Sequence, residues 1–175
     1  MINEKNSAIL FIDIQEKLVG MLKKDKITKK SYILSEMANI LGIEKIFTEQ
    51  YPKGLGTTIE SISKKETDKV FEKTSFNALE TEGLLDAVKN KENILVCGIE
   101  THICVYQTVK ALLEKGFNVY VIKDACASRE TEEFKAGINL MEKLGATITT
   151  TEIILFEFLK TSKHPQFKLV QALIK

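Results

Sequence analysis

A thiol, a carboxylate and an ammonium, each placed where a short apolar run ends or has just ended, carry the chemistry this sequence offers. The thiol is Cys104, inside the stretch Ile-Leu-Val-Cys-Gly-Ile-Glu-Thr-His-Ile-Cys-Val-Tyr-Gln-Thr-Val from Ile94 to Val109. Ile94 to Cys97 reads as one buried strand, and Gly98 punctuates it. Cys104, Val105, Thr108, Val109, Leu112 and Leu113 then recur at the spacing of a helix with one core-facing stripe. Thr101 is a candidate N-cap for that helix. Cys104 therefore falls in a first helical turn, where outward-pointing amides favour thiolate over thiol, the form a nucleophile needs. The carboxylate is Asp13, at the end of the continuous apolar run that begins at Ser7, and the ammonium is Lys73, at the end of Lys69 to Lys73. Singly, each has an ordinary role: a small buried hydrophobe, a turn residue and a solvated surface charge. Brought together, they form an activated nucleophile whose two ions offset each other.

The elements that must bring them together follow from the apolar pattern. Ser7 to Asp13 is apolar without alternation, which suggests a strand buried on both faces, as in parallel sheets. Leu18 to Lys24 reads as a turn or loop, and Ile27 to Leu41 as a helix stopped by Gly42. Ile43 to Thr48 is a second strand, Glu49 to Thr58 a loop with one proline and two glycines, and Val70-Phe71 the centre of a weak strand. A helix over Thr81 to Lys89 with Thr81 as its cap comes next. After the Cys104 helix, which Gly116 stops, Asn118 to Ile122 is a strand with Asp124-Ala-Cys-Ala-Ser past its end. Thr131 to Leu144 is a helix, Ala146 to Thr149 a short strand, and Thr151 to Leu159 and Gln166 to Ile174 are terminal helices. Strands alternating with helices imply right-handed crossovers and an α/β architecture, a mainly parallel sheet with helices on both faces. In such a sheet ligands bind beyond the carboxyl ends of the strands, and Asp13, Lys73, Cys104 and Asp124 all fall on that rim.

Composition narrows the class. The 175 residues suit a single domain, residues 1–175. Lys and Arg number 25 against 24 Asp and Glu, with no basic block, so nothing argues for nucleic acid or an anionic membrane. No apolar run approaches a membrane span, and the first residues carry no apolar signal region. Three cysteines without a C-x-x-C pair do not make a disulfide framework or a usual zinc site, which points to a reduced, cytoplasmic protein.

Three motifs resemble a known family. Phe-Ile-Asp-Ile-Gln-Glu-Lys-Leu at 11 to 18, Glu-Lys-Thr-Ser-Phe at 72 to 76 and Cys-Gly-Ile-Glu-Thr-His-Ile-Cys-Val at 97 to 105 resemble the isochorismatase-like cysteine hydrolases. That superfamily includes nicotinamidases and N-carbamoyl amide hydrolases. The segments 48 to 56 and 123 to 129 are most similar to its isochorismatase domain-containing branch. The resemblance implies a three-layer αβα fold, with a sheet of about six strands in the order 3-2-1-4-5-6. It implies a catalytic triad of Asp13, Lys73 and Cys104. Asp13 would take the thiol proton and later activate water, Lys73 would hold the ion pair and help depress the thiol pKa, and Cys104 would attack a carbonyl carbon. It also implies a cis peptide at Ile99–Glu100 that aims the Glu100 amide, with that of Cys104, at an oxyanion. Tyr51, Phe76, Ile103 and Tyr106 would line a small apolar pocket, with Gln15 and Thr101 as its polar groups.

The departures are as informative. Nicotinamidases carry an Asp-x-His…His metal cluster after the second strand, whereas this chain has Glu49-Gln50-Tyr51-Pro52 there, so no metal and no cofactor are expected. The chain's one arginine, Arg129, reads as a solvated or structural ion-pair partner. The expected activity is metal-independent hydrolysis of a small-molecule amide or related C–N substrate through a thioester. The alternatives are vinyl-ether cleavage of isochorismate, with Asp13 as the acid, and a non-catalytic binding or assembly role. The resemblance further implies a homo-oligomer, a dimer or larger.

Overall fold

The computed structural model describes residues 2–23 and 26–175. In chain order the elements are β1 (Ser7–Ile12), α1 (Glu16–Gly20), α2 (Ile27–Leu41), β2 (Glu44–Gln50), α3 (Pro52–Leu55), β3 (Lys69–Lys73), α4 (Leu84–Val88) and β4 (Asn93–Ile99), then α5 (Tyr106–Glu114), β5 (Asn118–Ala127), α6 (Thr131–Lys143), β6 (Thr147–Thr149), α7 (Thr151–Leu159) and α8 (Phe167–Ala172). The six strands form one sheet in the order β3-β2-β1-β4-β5-β6, and each neighbouring pair is parallel. This is the expected α/β fold and strand order.

Every residue of β1 and β4 is buried, which is why their sequences run apolar without alternation. Chain order reverses between β1 and β4. Right-handed crossovers therefore put α2 on one face of the sheet and α5 and α6 on the other. α2 packs with α7 and α8, and α5 with α6. Phe11 and Phe47, opposite each other on β1 and β2, stack with ring centroids 4.7 Å apart.

Several boundaries differ from the sequence pattern. The helix expected over Thr81 to Lys89 is a 3-10 turn at Ala78–Glu80 followed by α4, because Gly83, at φ 81, breaks the path between them. The turn expected from Leu18 opens inside α1, and its end at Lys24 lies outside the described residues. The Glu49 to Thr58 loop contains α3. β2 continues two residues past Thr48 to Gln50, which pairs with Lys73.

The largest difference is in β5. Asp124 to Ala127, expected beyond the strand, belong to it. The ladder shifts register between Val96 and Gly98: Val96 faces Val121 and Gly98 faces Cys126, so β5 carries the extra residues as a bulge. Cys126, expected past the end of the strand, is consequently within it and buried.

Candidate active site

The site lies where strand order reverses, beyond the carboxyl ends of β1, β3 and β4. Asp13 is the first residue past β1 and adopts a left-handed conformation, φ 51, which Asp tolerates better than most residues. Its amide donates to the Thr48 carbonyl at 3.1 Å. The Thr48 hydroxyl donates back to Asp13 Oδ1 at 2.6 Å, leaving Oδ2 to the Lys73 ammonium at 2.7 Å. Lys73, the last residue of β3, also donates to Gln50 Oε1 at 2.6 Å and to the Ser75 carbonyl at 3.2 Å. Those three acceptors match the three protons of an ammonium. Both charged side chains are 0% exposed. A buried pair is tolerated when its remaining hydrogen-bonding capacity is met, and here Thr48, Gln50 and Ser75 meet it.

Cys104 joins them. Its thiol is within reach of both the Asp13 carboxylate and the Lys73 ammonium, and the residue is 6% exposed. Burial pushes the Cys104 thiol up to about 12, the Asp13 charge adds to the rise, and Lys73 offsets only part of it. The expectation of a depressed pKa at this cysteine is therefore overturned. The cation that would favour thiolate is already paired with a carboxylate, and the loss of water outweighs what is left. At neutral pH the raised pKa favours the protonated thiol.

The local backbone also departs from the expected cap. Thr101 to Val105 form a π-helical turn that runs into α5, and Glu100, not Thr101, precedes it as the N-cap. The Ile99–Glu100 peptide bond is cis. The Glu100 carbonyl accepts from the amides of Ile103 at 3.1 Å and Val105 at 3.3 Å. The Thr101 hydroxyl is buried and without a hydrogen-bond partner among the described residues.

The expected lining residues separate into groups. Gln15 is buried and committed to backbone: its Nε2 donates to the Gln50 and Gly56 carbonyls at 3.0 and 2.6 Å, and its Oε1 accepts from the Gln50 amide at 2.7 Å. It staples the start of α1 to the end of β2 and is not an open polar group. Tyr51 and Phe76 are more than half exposed, at 56% and 51%. Ile103 and Tyr106 are partly buried against the core. Thr48 and Gln50 were not singled out from sequence. Their signal was a pair of polar residues at i and i+2, on one face at the end of a strand.

The end of β2 and the segment that follows it do not fit a metal ion. Glu49 Oε1 accepts from the Thr58 amide and hydroxyl at 2.8 and 2.7 Å, and the Gln50 side chain is held by Lys73. Among the described residues no three His, Cys, Asp or Glu cluster in a metal-binding arrangement. Burial also raises the thiols of Cys97 and Cys126, the latter to about 12. Among the described residues no helix is long and apolar enough to cross a membrane.

A family model described as Isochorismatase domain matches residues 7–153. Isochorismatase family protein 1A of Dictyostelium discoideum is 38% identical over 172 residues, 93% of this chain and 84% of that protein. Isochorismatase domain-containing protein 2 of Xenopus laevis is 36% identical over 176 residues, 99% of this chain and 85% of that protein. A solved structure described as MAR1 ribonuclease from Caenorhabditis elegans superposes with a TM-score of 0.95 at 40% identity, covering 99% of this chain and 91% of that one.

Proposed function

The chain belongs to the isochorismatase family, and from that premise we propose that it is a metal-independent cysteine hydrolase of a small amide or related C–N substrate. The observation that carries this reading is the buried ion pair of Asp13 and Lys73, at 2.7 Å, with the Cys104 thiol beside both. A charge pair without solvent access is costly to maintain for structure alone. Next to a nucleophile it has a use.

Asp13 takes the Sγ proton as sulfur attacks the carbonyl carbon. Lys73 holds the Asp13 carboxylate in place and stabilises the sulfur's developing charge. The oxygen becomes an oxyanion, held by the backbone amides of Glu100 and Cys104. Its collapse breaks the C–N bond, and the amine leaves with the proton from Asp13. Asp13 then deprotonates water, whose oxygen adds to the thioester carbonyl. The C–S bond breaks, the acid departs, and the thiolate recovers its proton from Asp13. A resting thiol suits this scheme, since the proton moves as the bond forms.

The test is a panel of small primary amides, ureido acids, isochorismate and RNA, the last because the Caenorhabditis elegans relative is described as a ribonuclease. Wild type should turn over an amide or ureido compound with or without chelator, and Cys104→Ala should lose about 10³-fold or more. Isochorismate turnover that survives in Cys104→Ala would favour the vinyl-ether reading. RNA cleavage that survives there would refute a thiol mechanism altogether.

A further inference from the structure

β4 and β5 end together: Ile99 opposite Ala127 is the last pair of their ladder. Beyond it, side chains continue the connection. The Glu100 carboxylate, 8% exposed, accepts on one oxygen from both the Arg129 amide at 3.1 Å and Arg129 Nε at 2.7 Å. Two residues on, His102 Nδ1 lies 3.0 Å from Ser128 Oγ. α6 closes on the same turn, since a Cβ at Gly137 would sit 3.0 Å from His102 Cα and 3.1 Å from its nitrogen. The turn between Glu100 and Cys104 is thus tied at alternate residues to the two residues that follow β5. An exposed arginine normally makes a weak surface pair. This one holds a buried carboxylate through two donors on one oxygen, which fixes the carboxylate in place.

We propose that Arg129 and Ser128 are positioning residues for the reaction: by anchoring Glu100 and His102 they hold the Glu100 amide where the oxyanion forms. The inference rests on the thioester reading above. Oxyanion donors help only when they are in place before charge develops, because then no reorganisation is needed at the moment of reaction. Arg129 suits the task better than lysine would, because its Nε–H is a directed donor part-way along the side chain, and lysine has none there.

Two probes of Cys104 separate positioning from general damage. p-Nitrophenyl acetate acylates the thiol through an oxyanion and releases p-nitrophenolate. Iodoacetamide alkylates it by displacing iodide, with no oxyanion. The charges that act on the thiol are those of Asp13 and Lys73, so loss of Arg129 leaves its ionisation alone. Arg129→Ala should slow the acylation burst by about 10–100-fold, the scale of a reacting group misplaced by about 1 Å, while alkylation keeps its wild-type rate. Added methylguanidinium should restore part of the burst in Arg129→Ala, and Arg129→Lys should fall between. Ser128→Ala should show the same pattern with a smaller loss, and it carries the test with Arg129→Lys where Arg129→Ala does not fold. An unchanged burst in these variants, or equal losses in acylation and alkylation, overturns the positioning role. A wild-type burst that is absent, or that persists in Cys104→Ala, strikes instead at the thioester reading and removes the inference with it.

Discussion

Cys104 lies between a carboxylate and an ammonium with its thiol pushed up to about 12, so at neutral pH it reacts readily only where a base takes its proton. Iodoacetamide, which brings no oxyanion to drive that transfer, should label it slowly at neutral pH and faster as pH rises toward 12. Lys73→Ala removes the ammonium beside the thiol, which favours thiolate, and should move the profile to higher pH; peptide mapping by mass spectrometry across pH 7 to 11 reads both effects. The sign for stability follows from the same shifts. Burial raises all three thiols above the unfolded value of about 8.5, so the native state binds their protons more tightly than the unfolded chain does. For Cys104 and Cys126 that contribution is complete below about pH 8 and is lost as pH climbs through the interval between about 8.5 and their native values of about 12. Urea midpoints should therefore fall between pH 7 and pH 10. Cys126→Ala, whatever it costs at pH 7, should flatten that fall; an identical slope in wild type and variant would remove Cys126 from the account.

The elements position the site by how closely β1 and β4 approach each other. Gly98 has φ 146, and a Cβ there would collide with the Ile12 carbonyl oxygen, one residue before Asp13. Backbone, unlike a flexible side chain, cannot step aside cheaply. Gly98→Ala should therefore cost about 3 kcal/mol or more in urea unfolding, at the upper end of single substitutions. A loss under about 1 kcal/mol would mean that the strands part more easily than their burial implies. The same scale shows what sequence could reach. Asp13 and Lys73 were legible as strand-end residues because β1 ends and β3 ends are marked by a change from apolar to charged. Thr48 and Gln50 were not, since a threonine and a glutamine at a strand end have no distinctive chemistry until Asp13 and Lys73 sit beside them. Gln15 was misjudged for the converse reason: a free-looking amide was consumed by three backbone contacts that only the β2 connection supplies.

Over the whole molecule the charges are nearly balanced, 25 against 24, and long-range repulsion does not oppose self-association. α7 buries Ile154, Leu155, Phe158 and Leu159 while leaving Ile153 at 54% and Phe156 at 39% exposure, and Leu169 on α8 is 57% exposed. A helix apolar on more than its core face gains by being covered. Multi-angle light scattering should accordingly give a mass of two chains or more, and Ile153→Lys should shift it downward. A monomer across the micromolar range would refute the assembly that the family resemblance implies.

The sequence by itself determined the strand-and-helix alternation, the parallel sheet and the three reactive residue types, because burial on both faces of a strand and strand-end chemistry both leave local marks in residue order. The tertiary structure alone decided how those residues behave. The thiol's ionisation depends on water excluded by neighbours far apart in the chain. The bulge in β5 depends on the register against β4, and it buries Cys126 where local pattern suggested a loop. The tie from Glu100 to Arg129 joins positions 29 residues apart, and it exists because the two strands happen to end level.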